Sequence, residues 1–476
     1  MKNITSPACS PTSSRPERLY SIVDGLEVEV RVTSNPYGLE LDRLFGMAAR
    51  INKKRGFLFV SKLLGKHIPV IPSASLGAGA MLGHLYAQDA PSGMPMLDTD
   101  RLRDMLGSRD KADAGYRELM ARKIRIEEPT LFIGFAETAT ALGHSLFDAF
   151  EGNVSFVHTT REEIEGLIPP IRFEEEHSHA VAHRCYVRDA SVFRDAARIV
   201  LVDDEITTGK TALNMIRELN AAFGHRDFAV ASLLDWRSVE DRGRFAELEH
   251  ELGIRIRCLS LIEGTIKVLG SPLEEEGKDG KNDSVPTADF RLYRHDLTAL
   301  FEHAGDSETD ESGEAARSPK LRSYLLHTGR FGMDAADGKA LDRSVARAAD
   351  YLGTRRTGRR ALCLGTGEFM YVPMRIAERM GDGVYSQSTT RSPIHPLRRE
   401  GYAVTSAYRY DSVDGEEVAN FIYNVEPGQY DEAFVFVERE YDPERGASFE
   451  RALSRLGVPV VHIVRFGTSG DRREGE

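Results

Sequence analysis

The 476-residue chain has one tryptophan and four cysteines. Cys9, Cys185, Cys258 and Cys363 stand far apart with no CxxC pair. That spacing excludes a zinc ribbon and a disulfide-framed secreted domain, and it fits a reducing compartment. No run approaches the roughly 18 apolar residues that a membrane-crossing helix needs, so no membrane partner is expected. Positive charge is in deficit, with 62 Lys and Arg against 74 Asp and Glu and a net charge of −12. This argues against a general nucleic-acid or membrane-surface binder. Residues 1–18 are rich in Ser, Pro and Thr without an apolar run. They read as a disordered tail with no secretory leader, and the expected location is cytoplasmic.

What is present is an ordinary globular composition, 41% hydrophobic and 29% charged, long enough for two or three domains. The most informative stretch is RIVLVDDEITTGKT, from Arg198 to Thr211. Ile199, Val200, Leu201 and Val202 form a β-branched run that reads as a buried strand ending at two acids, Asp203 and Asp204. A loop of small hydroxyls and one glycine follows: Thr207, Thr208, Gly209, Lys210 and Thr211. A helix then carries Leu213, Ile216, Leu219 and Phe223 on one face and stops at Gly224. Amides and hydroxyls at a helix N-terminus suit a phosphate, and paired carboxylates suit sugar hydroxyls, so the segment reads as a sugar-phosphate site. A P-loop is rejected, because its first glycine would fall on Asp204, whose charge repels phosphate. The plain alternative is a polar turn after a core strand.

This segment resembles the phosphoribosyl-pyrophosphate (PRPP) motif of the type I, orotate-phosphoribosyltransferase-like phosphoribosyltransferases. The resemblance implies that Asp203 and Asp204 hold the ribose hydroxyls and that Thr207–Thr211 wrap the 5′-phosphate. It also implies Mg²⁺ bound with PRPP. The strand at Leu131–Phe135 runs into Ala136-Glu137-Thr138, where the family has its pyrophosphate loop. The basic residue often found there is missing, so backbone contacts are expected. The polar stretch 159–189 sits where the family has its flexible catalytic loop, which shuts water away from the ribosyl centre.

Within that stretch His177, His179, His183 and Arg184 are candidates to meet pyrophosphate from a hairpin. The three histidines would share one face, but without an ordered scaffold they are weak as a metal site, and no side-chain metal site is assigned. The segment 52–70 is unusually basic, and Lys66 and His67, between glycine and apolar residues, are hood candidates. A helix is expected over Leu41–Ile51. Residues 73–87 read as a tightly packed helix or a loop. Trp236 reads as a core-edge residue, with stacking on a base as the alternative. Strands near 228–234 and 254–262 around a helix at 238–252 complete an alternating pattern, which predicts a parallel sheet flanked by helices.

A second α/β pattern runs from about Lys320. The strand Ala361–Leu364 leads into Gly365-Thr366-Gly367-Glu368 and a helix, a common phosphate cradle, although Met370 replaces the third glycine of a dinucleotide motif. Thr389, Thr390, Arg391 and Ser392 follow another strand and also suit a phosphate. Thr390–Pro393 and LGTGEFMYVP resemble the marked segments of the TRSP domain, which follows a phosphoribosyltransferase domain in a bacterial family. Genes of that family tend to lie beside tellurium-resistance genes.

The expected fold is α/β: a phosphoribosyltransferase-type parallel sheet plus a second C-terminal α/β domain. The expected boundaries are 19–270 for the transferase (hood part 19–128, PRPP-binding core 129–265), 271–319 for a partly disordered linker with a short helix near 290–303, and 320–470 for the TRSP domain. The expected activity is transfer of ribose 5-phosphate from PRPP to a nitrogenous base with release of pyrophosphate, in making a nucleoside-like metabolite. The alternative is a non-catalytic PRPP or nucleotide sensor acting on a protein partner. PRPP and an unidentified base are the expected small-molecule partners, with no nucleic acid; a homodimer is compatible with the sequence.

Overall fold

The computed structural model describes residues 17–50, 56–88, 98–174, 182–270, 290–305, 321–413, 418–441 and 443–467. The larger of two principal sheets has eight strands. Their order is Glu17–Val23, Leu26–Ser34, Arg255–Gly270, Asp227–Asp235, Arg198–Ile206, Ile124–Gly134, Phe150–His158 and Met333–Asp334. The five central strands, 255–270 through 150–158, are mutually parallel. Strands 26–34 and 333–334 close the two sides antiparallel. The apolar runs Ile199–Val202 and Phe228–Ala231 are fully buried, as strands covered on both faces must be.

The Gly-rich stretch is the helix Pro72–Gln88, buried along nearly all its length. Its glycines are positions of close approach: a Cβ on Gly79 would collide with Ser145 and one on Gly77 with Met105. Packing thus outweighs the low helix propensity of glycine. Among the described residues no helix is long and apolar enough to cross a membrane.

The second sheet has five parallel strands in the order Arg291–Asp296, Val460–Arg465, Glu432–Val437, Ala361–Gly365 and Val384–Ser388. The helices Ala335–Gly353, Tyr371–Arg379 and Pro443–Ser454 belong to this half. The two halves interlock. Met333–Asp334 completes the edge of the larger sheet, and Ile394, Tyr402, Val404 and Tyr423 share one continuous core with Phe45, Phe59 and Val60.

Three elements differ from the sequence expectation. The helix expected over 41–51 ends after Leu41–Leu44, and Phe45–Ala49 pairs antiparallel with Phe57–Ser61. Apolar residues at 44, 45, 47 and 48 satisfy either period over so short a window, and the aromatic partner strand decides. The helix expected near 290–303 is instead the strand Arg291–Asp296 followed by a short 3-10 turn, Thr298–Leu300. It has one neighbour in its sheet, Val460–Arg465, and such a partner has no local signature. The strand through the acidic doublet does not stop at Asp203 but continues to Ile206.

A buried charge cluster fastens the halves. Arg375 in the C-terminal half donates to Asp148 Oδ2 at 2.6 Å and to Asp342 at 2.5 Å. Tyr371 OH donates to the same Asp148 oxygen at 2.9 Å, and Lys123 reaches Oδ1 at 3.0 Å. Tyr371 also stacks on His144, with ring centroids 3.6 Å apart. Burial alone would raise the Asp148 carboxyl; Arg375 and Lys123 together outweigh it and hold it at about 2. This depressed value makes Asp148 stabilising above the ordinary carboxyl pKa, and that contribution is lost as pH falls toward 2. Arg375→Ala removes the buried cation from Asp148, leaving Lys123 and Tyr371 as its partners, and is expected to cost about 3 kcal/mol in urea unfolding, part of which returns in the double variant with Asp148→Ala. Equal stability of single variant and parent would contradict the role given to this pair.

Candidate functional site

Asp203 and Asp204 sit half-buried near the carboxyl end of strand 198–206, and Asp203 Oδ1 accepts from the Asp204 amide at 2.9 Å. Burial raises both carboxyls above the usual range, Asp204 to about 6. The charge of Asp204 adds to the shift at Asp203, and that of Glu205 to the shift at Asp204, while Arg50 pulls Asp204 the other way. Two carboxylates kept costly to ionise, beside a guanidinium, are poised for cationic or hydroxyl-bearing ligands.

The loop after them turns at Gly209, whose φ of +73° suits glycine and whose Cβ would collide with the Phe245 ring. Gly209 is also the N-cap of helix Lys210–Phe223, and Thr208 Oγ1 accepts from the Lys210 amide at 3.4 Å. The helix N-terminus adjoins the loop formed by Thr207, Thr208 and Gly209, with Thr208 exposed. The helix ends at Gly224 with φ +76°, as its sequence implied.

Beside the doublet, Leu44, Phe59, Ser61, Leu63, Leu233 and Leu261 line a narrow apolar cleft of about 10 Å³ that Asp204 and Glu205 complete. Trp236 lies behind it, 3% exposed and stacked on Phe59 at 5.0 Å. Its role is that of a core-edge residue. The cleft wall is braced from the C-terminal half: Tyr402 OH donates to His395 O and accepts from Ala49 N. Asn424 Nδ2 donates to His67 O. His67 is buried, and burial with Lys66 and Arg50 nearby pushes it down to about 3, so its ring is neutral.

The segment Ala136-Glu137-Thr138 lies beside the doublet. Gly134 pairs with Val202 in register, and Phe135 N donates to Val202 O at 3.0 Å. Thr159 fixes this turn, accepting from Ala136 N at 2.8 Å, and its hydroxyl meets His183 Nδ1 at 3.1 Å. The polar stretch forms the expected hairpin, Ile171–Glu174 against Ala182–Cys185. His183 is buried in it and stacked on Phe173 at 5.0 Å. Arg184 donates to Arg161 O at 2.9 Å and pairs with Glu163 at 3.1 Å. His177 and His179 lie outside the described residues.

The carboxyl ends of the second sheet face those of the first. Glu368 crosses between them: it accepts from Thr160 Oγ1 at 2.6 Å and Arg161 N at 3.1 Å, and its carbonyl accepts from Thr140 at 3.3 Å. Lys66, 1% exposed, pairs with Glu137 at 2.5 Å and donates to Gly367 O at 2.8 Å. Burial lowers the Lys66 pKa, with Glu137 opposing. The C-terminal phosphate candidates come together, but their hydroxyls work inside the domain. Thr389 accepts from Gly367 N at 3.0 Å, Thr366 donates to Phe436 O at 3.2 Å, and Thr390 accepts from Ser392 N at 3.2 Å. Gly365 ends its strand beneath them. Arg391 instead reaches across to Glu137, Nε to Oε2 at 3.9 Å.

Sequence reasoning missed Arg50, Phe59, Thr159 and Glu368. Nothing local marks them, because each acquires its place through partners distant in the chain. Among the described residues no group of three or more His, Cys, Asp or Glu is placed to cage a metal ion. The oxygen donors of Asp203 and Asp204 fit an Mg²⁺ that takes most of its ligands from a bound phosphate compound, whose charge it would neutralise.

A family described as phosphoribosyl transferase matches residues 44–265, and one described as the TRSP domain C-terminal to it matches residues 327–453. No curated protein matches the chain. Similar solved structures include adenine phosphoribosyl transferase from Trypanosoma brucei, at 20% identity over 35% of this chain and 72% of that one, with a TM-score of 0.24. The enzyme from Giardia lamblia is 17% identical over 36% and 87%, with a TM-score of 0.21. A hypoxanthine phosphoribosyltransferase from Staphylococcus aureus is 12% identical over 37% and 69%, with a TM-score of 0.18. The two family matches, in this order and on these two sheets, make the chain a member of the phosphoribosyltransferase family that carries a TRSP domain on its C-terminal side.

Proposed function

We propose that the chain is a type I phosphoribosyltransferase, moving ribose 5-phosphate from PRPP to a nitrogen nucleophile with release of pyrophosphate. One observation carries the reading. The ionisable doublet Asp203–Asp204, the hydroxyl-bearing loop at the start of helix Lys210–Phe223 and an apolar cleft adjoin one another at one sheet end. In this reading Asp203 and Asp204 accept hydrogen bonds from the ribose hydroxyls. The 207–211 amides and hydroxyls hold the 5′-phosphate, and the turn at Ala136–Thr138 borders the pyrophosphate. Mg²⁺ arrives with PRPP and offsets the charge of the leaving group. Phe59 and its apolar neighbours shield the ribosyl centre from water on the doublet side. The chain's part in catalysis is placement and electrostatic support.

Pyrophosphate release from Mg²⁺ and PRPP, assayed over a panel of purine, pyrimidine and related bases, tests the activity. One base should sustain turnover, and Asp204→Asn should lower it by about 10- to 100-fold, the worth of hydrogen bonds to a charged acceptor. PRPP binding with no turnover on any base would point to the sensor reading instead. Quenching of the lone Trp236, through its stack on Phe59, reports occupancy of the cleft.

The raised carboxyl at Asp204 fixes a pH signature. As pH falls through about 6 the carboxyl takes up a proton, so PRPP affinity should drop there, and Asp204→Asn should remove that leg. Stability of the free protein has the opposite sign. The folded state binds the extra proton between the ordinary carboxyl value of about 4 and the raised one, so unliganded stability should decline over that interval as pH rises. Asp204→Asn should melt no lower than the parent at neutral pH while losing ligand affinity. A variant that simply unfolds would contradict this.

A further inference from the structure

The turn at Ala136–Thr138 has no basic residue of its own. A pyrophosphate group beside it would carry several negative charges and would also face the carboxylate of Glu137. Around that carboxylate stand two cations from elsewhere in the chain. Lys66 comes from the segment after strand Phe57–Ser61 and is fixed at 2.5 Å from Oε1. Arg391 comes from the C-terminal domain and stands 3.9 Å from Oε2. Glu368 also acts on Lys66, so the two cations are balanced by carboxylates that a ligand anion would have to displace.

The Arg391 contact differs from the other charged ties between the halves. Arg375 to Asp148 and Arg439 to Glu162 each close at 2.6 Å. Arg391 is longer, keeps 18% of its side chain exposed, and lines the charged cleft between the sheets with Glu162, Thr366 and Glu368. The residues before it anchor its backbone: Thr390 exchanges both backbone hydrogen bonds with Phe421, and Thr389 is locked to Gly367 and Tyr410. The Thr-Arg-Ser-Pro segment is thereby a rigid mount that aims one guanidinium at the mouth of the other domain's site.

We propose that Arg391 and Lys66 together bind the pyrophosphate of the donor, and that Glu137 stands in as their counter-ion until it arrives. The transferase site is then built from both domains. The inference rests on the PRPP reading above and names a further part of that same site. A guanidinium suits the role because its planar fork matches phosphate oxygens two at a time, while the buried Lys66 supplies a fixed point charge.

Calorimetry on the full chain with Mg²⁺ separates the two claims, using PRPP, inorganic pyrophosphate and ribose 5-phosphate as probes. Arg391→Ala is expected to weaken PRPP and pyrophosphate by about tenfold or more, with Arg391→Lys recovering part of the loss and ribose 5-phosphate unchanged. Glu137→Gln removes the competing anion and is expected to tighten pyrophosphate several-fold. Unfolding midpoints of both variants show whether the fold is intact. If Arg391→Ala binds PRPP as the parent does, or weakens ribose 5-phosphate equally, the inference fails while the PRPP reading stands. If Glu137→Gln weakens pyrophosphate, the stand-in role fails. If the parent binds neither PRPP nor ribose 5-phosphate, the underlying reading fails as well.

Discussion

Lys66 is almost wholly removed from solvent, and an ammonium so placed needs anionic and dipolar partners at short range. It finds one in each half of the molecule, the Glu137 carboxylate at 2.5 Å and the Gly367 carbonyl at 2.8 Å. Those partners sit at the carboxyl ends of two different parallel sheets. Satisfying one charge therefore fixes how the sheets confront each other. The confrontation matters because open α/β sheets present their ligand sites at that end. Here a charged cleft is lined from both, by Glu162 on one side and by Thr366, Glu368 and Arg391 on the other.

The interface around this charge is polar where it borders the cleft and apolar where it does not. Glu368 is inserted between Thr160 and the Arg161 amide, and Arg439 pairs with Glu162 at 2.6 Å. Away from the cleft, Tyr402 and Tyr423 join the core that contains Phe45 and Phe59. Ion pairs of this kind contribute little net stability against apolar packing, but each is costly to break singly, and so they enforce one docking geometry. The wall of the apolar cleft thus takes its position partly from the C-terminal domain.

The alternation of strands and helices was legible because buried parallel strands and amphipathic helices repeat with different periods. The turn at Gly209 and the helix behind it were legible for a stricter reason, since a left-handed residue at a helix start favours glycine and the helix's apolar face repeats at its own period. The TRSP-type segment was legible as a string, yet its chemistry was not. Its hydroxyls, offered by the sequence to a phosphate, support the local turn, and the guanidinium alone turns outward to the other half. Contacts such as Thr160 with Glu368 join residues some two hundred positions apart and leave no periodic trace. Short windows failed where two periods fit equally, as at Phe45–Ala49, and where one remote partner decided the outcome, as at Arg291–Asp296.

The two-residue strand Met333–Asp334 has a consequence for synthesis. Until it emerges from the ribosome, Phe150–His158 has an unmatched edge, and the surfaces that will receive Ile394 and Tyr402 stay wet. A nascent chain can assemble the central strands early, but it cannot seal that flank until the later third is made. During that interval the flank is a template for stray pairing, and rapid delivery of the downstream polypeptide protects it.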